Sequence, residues 1–187
     1  TYFDILVEDP IMGSNITSFQ DNVPGAENTS KGIEVSTKWT NNKKLNVGFN
    51  YTLTKSYSGM DCDKPKKDLW GYTSCLDSGN GWIESAMVRV PVHALSSKIN
   101  YKFTNDLNSS IFLTYKGRSR DYAGSDYDFK DQILNEYLLL DFASSYDLGG
   151  GYMVDFSLKN IFDKDYENSF NYSGTPRTMN VALKMVY

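Results

Sequence analysis

The chain has 187 residues, 40% hydrophobic and 14% aromatic, with a formal net charge of −4 and one histidine; its mean hydropathy is −0.47 and its pI near 5.0. An acidic balance whose only basic cluster is Lys64, Lys66 and Lys67 excludes a nucleic-acid partner, because phosphate binding needs a concentrated basic face. No run of about 18 apolar residues exists, so no transmembrane helix is encoded; a barrel strand needs only about 9 to 11 residues with every second one apolar.

Thr1 to Glu8 carry neither the basic nor the apolar region of a secretory signal and read as the interior of a strand. The sequence is therefore expected to be the end of a longer chain. After a polar stretch over 9–28, Ile33, Val35, Thr37 and Trp39 alternate with Glu34, Ser36 and Lys38. Asn41 to Lys44 form a compact turn, and Leu45, Val47, Phe49, Tyr51 and Leu53 alternate with Asn46, Gly48, Asn50, Thr52 and Thr54. The pattern predicts a hairpin with one apolar face.

The segment 58–84 is rich in Gly, Ser, Asp and Lys and holds both cysteines. Cys62 and Cys75 are expected to form a disulfide within an exported loop, removing roughly 3 kcal/mol of chain freedom. Trp70, Tyr72, Asp77 and Trp82 make this the richest candidate loop for contacting a ligand, and a bridged loop loses less entropy on binding. A surface loop stiffened against proteolysis accounts for the same residues.

A second hairpin follows, with Ser97, Ile99, Tyr101 and Phe103 on one face, a turn expected at Asn105 to Asn108, and then Ile111, Leu113 and Tyr115. The segment 118–134 adds Tyr127 as a further ligand-facing candidate. It also carries Asp121, Asp126, Asp128 and Asp131, oxygen donors of the kind calcium takes. Asp126 and Asp128 are the closest to a metal pair, but no EF-hand spacing is present and a solvated acidic loop suffices, so no metal is expected. The third hairpin runs Leu138, Leu140, Phe142, Ser144 and Tyr146, turns at Asp147 to Gly151, and returns through Tyr152, Val154, Phe156 and Leu158. Lys98, Lys102, Asp141, Asp155 and Lys159 fall on the opposite faces.

Short turns and long segments (9–28, 58–84, 118–134, 161–175) alternate strictly, as in outer-membrane barrels with short periplasmic turns and longer outer loops. Tyrosines 57, 101, 115, 122, 146 and 152 fit interfacial girdles. Met179, Val181, Leu183, Met185 and Tyr187 close the chain as one apolar face, resembling the terminal assembly-signal strand of outer-membrane proteins. With His93 the sole histidine, no nucleophile–base set is offered and an enzyme is not expected; nor is a cofactor.

Residues 156–166, Phe-Ser-Leu-Lys-Asn-Ile-Phe-Asp-Lys-Asp-Tyr, resemble the penultimate-strand signature of TonB-dependent receptors, Asn-Leu-Phe-Asp-Lys-x-Tyr, with Ile161 in place of Leu. Gly32-Ile33-Glu34 is similar to that family's Gly-Val-Glu strand start, Arg89-Val90-Pro91-Val92-His93 to its Arg-x-Pro-x-His strand entry, and Gly174 and Arg177 match loosely its closing Gly-Arg pair. The resemblance implies an all-β, antiparallel transmembrane barrel of 22 strands, plugged by an N-terminal domain. Residues 1–187 would be its last eight strands, the plug and TonB-contacting segment lying outside this sequence. It further implies a Gram-negative outer-membrane receptor that binds a scarce nutrient at its outer mouth and imports it with TonB-supplied energy. Its partners would be TonB, membrane lipid and the barrel assembly machinery. The resemblance is strongest to the cobalamin and siderophore branches. Five acids against three bases in 58–84 favour cobalamin slightly over an anionic ferric siderophore. Two other readings are a complete eight-stranded barrel with a structural or adhesive role, and a soluble β-sandwich.

Overall fold

The computed structural model describes residues 1–13, 20–22, 25–42, 44–61, 82–123 and 130–185, and all regular structure among them is β. In chain order the strands are β1 (Tyr2–Glu8), β2 (Ile11–Gly13), β3 (Gln20–Asn22), β4 (Ala26–Asn41), β5 (Leu45–Asp61), β6 (Trp82–Ala86), β7 (His93–Lys102) and β8 (Leu107–Lys116). There follow β9 (Ser119–Ala123), β10 (Lys130–Leu134), β11 (Tyr137–Gly149), β12 (Tyr152–Lys159), β13 (Glu167–Ser169), β14 (Tyr172–Ser173) and β15 (Thr178–Met185). Eight of them form one continuous antiparallel path, β1-β4-β5-β7-β8-β11-β12-β15, with β6 added to the far end of β5. The pairs β2–β3, β9–β10 and β13–β14 are small separate ribbons. β1 and β15 are the two ends of the path.

The register carries the alternation read from the sequence straight across the sheet. Trp39 faces Val47, then Ile99, Ile111, Phe142, Leu158 and Met179, an apolar row over seven strands. One residue along on the other face, the row runs Thr40, Asn46, Asn100, Ser110, Ala143, Ser157 and Asn180. A single-residue slip would exchange these faces, so the pattern fixes the pairing.

No second layer covers the apolar side among the described residues. Among the described residues only Ala26, Leu134 and Tyr137 are buried hydrophobics, while Trp39, Val181 and Leu183 are 53%, 65% and 67% exposed. An apolar surface this continuous is foreign to a protein meant for water on both sides. The polar side is bonded within itself. Ser36 donates to Asn50 Oδ1 at 2.7 Å, Thr40 to Asn46 Oδ1 at 2.8 Å, Asn50 Nδ2 to Ser96 Oγ at 3.3 Å, and Ser145 to Asp155 at 2.5 Å. Lys184 forms an ion pair with Asp155. Among the described residues no helix is long and apolar enough to cross a membrane, which leaves a strand-built crossing untouched.

The three tight turns all lie at one end. Asn42 (φ 48°) and the Gly149, Gly150 and Gly151 run (φ 78°, 63° and 81°) use left-handed backbone that glycine and asparagine tolerate best. The second turn differs from the expectation: it falls at Phe103 to Asp106, and Leu107 and Asn108 already belong to β8. Thr104 sets it there, its Oγ1 accepting from the N–H groups of Asp106 and Leu107 at 3.2 and 3.0 Å.

The strands also outrun the sequence reading at the other end. β4 and β5 have 16 and 17 residues, and at about 3.3 Å per residue they extend roughly 50 Å, well beyond an apolar band of about 25 Å. Ala26 to Asn28 and Ser58 to Asp61 are thus strand, not loop, and 118–134 contains the β9–β10 ribbon. Backbone ladders hold these extensions without an apolar face, so alternation could not announce them.

Candidate functional site: the outer rim and the polar inner wall

At the end opposite the tight turns, three loop segments meet on one carboxylate. Asp121 in β9 is fully buried. Arg89, just before β7, donates from Nε to both of its oxygens at 3.0 and 3.1 Å. The N–H of Phe170 and the hydroxyl of Ser169 reach its Oδ2 at 2.8 and 3.3 Å. Arg89 adopts a φ of 60°, which a bulky side chain does not choose freely, and its N–H is held by Arg120 O at 2.7 Å. Arg120 in turn reaches Asp131 at 2.6 Å and Ala86 O at 3.1 Å. The result is a clamp joining residues 86–89, β9 and the β13 turn.

Beside it, Arg118 and Glu136 close the neck of the β9–β10 loop through a hydrogen-bonded ion pair. The hydrogen bond from Arg118 holds the Glu136 carboxyl below its ordinary range and raises the guanidinium. The folded form therefore favours the charged carboxylate. The contact is present above the ordinary carboxylate range and lost as falling pH protonates Glu136.

The motif 156–166 is a structural turn. Asn160 is buried with φ 48°; its N–H donates to Asp141 Oδ1 at 2.7 Å and its Nδ2 to the carbonyls of Lys164 and Thr175 at 2.9 and 3.1 Å. Its Oδ1 accepts from Lys164 N at 2.9 Å. Asp163 accepts from Arg177 N at 2.7 Å. Replacing Asn160 with Ala removes three side-chain hydrogen bonds and leaves a left-handed φ without its asparagine. A loss of about 2–4 kcal/mol is expected in denaturant titration of the folded protein.

The Tyr166 ring packs against Tyr137 at a 45° tilt with centroids 4.6 Å apart, and Tyr137 donates to Asn168 Oδ1 at 2.6 Å. A Cβ on Gly174 would enter the Tyr166 ring, so Gly174→Ala should displace that ring, lower stability by about 1–3 kcal/mol, and change tyrosine fluorescence. Gly32 has the same logic: Phe3 of β1 lies over it, where a Cβ would also meet Leu53 O. His93 accepts or donates through Nδ1 to Tyr51 OH at 2.8 Å, a strand-end contact.

Of the ligand-facing candidates, Trp70, Tyr72, Asp77 and Tyr127 lie outside the described residues, as do Cys62, Cys75, Asp126, Asp128 and Tyr187. Trp82 opens β6, its backbone paired with Asp61. Asp121 and Asp131, which belonged to the acidic loop set, are engaged by Arg89 and Arg120. Among the described residues no group of three or more His, Cys, Asp or Glu is gathered to hold a metal. The clamp itself was invisible in the sequence, since Arg89 and Phe170 stand 32 and 49 positions from Asp121.

Residues 1–161 match the family model described as TonB dependent receptor-like, beta-barrel. The chain belongs to the TonB-dependent receptor β-barrel family. Barrels of this family are outer-membrane transport receptors of Gram-negative bacteria and not an enzyme class. No curated protein matches the sequence. Among solved structures, the ferric-catecholate import receptor Fiu from Escherichia coli K12 superposes with a TM-score of 0.69 at 17% identity, over 100% of this chain and 24% of that one. The outer-membrane ferripyoverdine receptor of Pseudomonas aeruginosa gives 0.67 at 17% over 100% and 24%, and the siderophore receptor PiuA from Acinetobacter baumannii 0.65 at 20% over 91% and 23%. At these identities the likeness is one of fold. The chain spans about a quarter of the length of these receptors.

Membership assigns the two faces. In barrels of this family the apolar face is the one suited to lipid and the hydrogen-bonded polar face the one suited to the interior. The tyrosines sort accordingly: Tyr101, Tyr146 and Tyr152 stand on the apolar face near the tight turns, and Tyr115 and Tyr57 on the same face towards the other end. Tyr122 lies in β9, off the main sheet.

Proposed function

We propose that the chain forms the last eight strands of a closed, 22-stranded outer-membrane receptor that binds a scarce nutrient at its outer rim and imports it with TonB-supplied energy. The observation that carries this reading is the one-layer sheet with an apolar outer face, a bonded polar inner face, and its elaborated loops gathered at one end. The preceding strands, a lumen-filling domain and the TonB-contacting segment belong to the rest of the receptor. Barrel assembly would start from the β15 face and Tyr187.

Ferric siderophores are the nutrient class supported by the receptors that share the fold. Cobalamin is the second reading, favoured by the acidic excess of the 58–84 loop. That loop, with Trp70, Tyr72, Asp77 and Trp82 and a Cys62–Cys75 bridge, is the proposed contact surface, joined by Tyr127. Thiol labelling of the exported receptor checks the bridge: both cysteines should react only after reduction, and full reaction without reductant would remove the pre-organised loop. The function is tested by uptake through the intact receptor in a host lacking its own transporters, comparing iron chelates with cobalamin. Energy-dependent entry of either class is expected. Entry of neither would contradict the receptor reading.

A further inference from the structure

Gly48 is the fourth residue of β5, paired on both sides, with no backbone reason to be glycine. Nothing approaches the place of its Cβ more closely than Lys98 O at 4.0 Å. A glycine within a strand weakens it, and one with open space over its Cα leaves a place that a ligand can approach closely. On the polar face its two cross-strand partners are Lys38 and Lys98. With strands about 4.8 Å apart, the two lysines flank the bare position at about 10 Å from each other.

The resulting groove, about 540 Å³, is lined also by Ser36, Asn46, Asn50 and Asn100 and contains no carboxylate. The oxygens of Asn46 and Asn50 are taken by Thr40 and Ser36, so the Asn46 amide presents its N–H groups as donors and Asn50 keeps one beside its bond to Ser96. Lys98 lies over the Phe112 ring at 5.1 Å, and neither it nor Lys38 has an ion-pair partner among the described residues. Further round the wall the same kind of position is self-neutralised, Lys184 by Asp155. Two ammonium heads and amide donors around an open floor complement an anion.

We propose that the Lys38–Gly48–Lys98 groove is an anion-binding station on the inner wall, taken by an anionic metal chelate on its way towards the tight-turn end. This rests on the uptake reading above and narrows its cargo to an anionic class. The groove lies three residues from the Asn41 turn, far from the outer rim, so its role is separable from first capture.

The test uses the intact receptor with two variants, Lys38→Gln combined with Lys98→Gln, and Gly48→Leu, which fills the groove at a position with room for a side chain. An anionic ferric catecholate and a neutral ferric trihydroxamate are the probes, with surface binding, energy-dependent uptake, and entry of a large antibiotic as readouts. Both variants should bind the catecholate at the surface like the parent yet import it about tenfold or more slowly, without admitting the antibiotic. Unchanged uptake in both variants would overturn the proposal. So would uptake of the neutral chelate alone by the parent, or antibiotic entry, which would show that the lysines hold the lumen-filling domain instead. A parent that imports neither chelate nor cobalamin would overturn the uptake reading itself.

Discussion

Arginine in place of Leu183 is expected to cost the inserted barrel about 2–4 kcal/mol, the penalty of a cation on the lipid face near mid-membrane. Leu183 is 67% exposed and sits across from Val154 in β12, in the same outward column as Met179, Val181 and Met185. Its neighbour Lys184 pairs with Asp155 on the polar face, so Lys184→Arg keeps the charge and the contact and should change stability hardly at all. Unfolding of the two variants from lipid vesicles measures the contrast. Equal losses at 183 and 184 would contradict the assigned faces.

Asp121→Ala should have the second large effect, and a local one. The substitution removes the acceptor for Arg89, Ser169 and the Phe170 N–H together. Breaking a buried charged pair typically costs about 3–5 kcal/mol, and about 3 is expected here because the Arg89 side chain, 55% exposed, can return to water. The sheet does not depend on this carboxylate, so the loss should appear as faster hydrogen exchange in 86–92, 119–123 and 167–173, with β11, β12 and β15 unchanged. Asp121→Asn should recover part of the protection, since an amide oxygen still accepts from Phe170. Uniformly faster exchange across the strands would mean that the clamp supports the whole wall.

The strands crossing the apolar band were legible because a period of two is written into them: Val47, Phe49 and Tyr51 against Gly48 and Asn50 admit one register and one pair of faces. Where both faces meet water the code falls silent. Asn28, Thr29 and Ser30 extend β4 by backbone pairing with β5 and a hydroxyl contact between Ser30 and Ser56, without apolar alternation. The 103–106 turn was misplaced by two residues because Asn105-Asp106 has turn composition, whereas the hydroxyl of Thr104 selects the site. The family motifs were readable as strings, and the structure supplies their physics. Gly32 makes room for Phe3, Arg89 finds Asp121, the Asn160 side chain ties three backbone groups, and Tyr166 rests on Gly174. None of these partners is adjacent in sequence. The Gly48 groove needs three strands in register before its lysines face one another, so no reading of one strand could find it.

The most direct test of the membrane-wall assignment is a scan of spin labels placed singly at residues 179 to 185 of the intact receptor in a lipid bilayer, read by their accessibility to oxygen and to an aqueous nickel chelate. The account predicts strict alternation: oxygen-accessible and chelate-protected at 179, 181, 183 and 185, the reverse at 180, 182 and 184. Equal access of the aqueous chelate to all seven positions would contradict it.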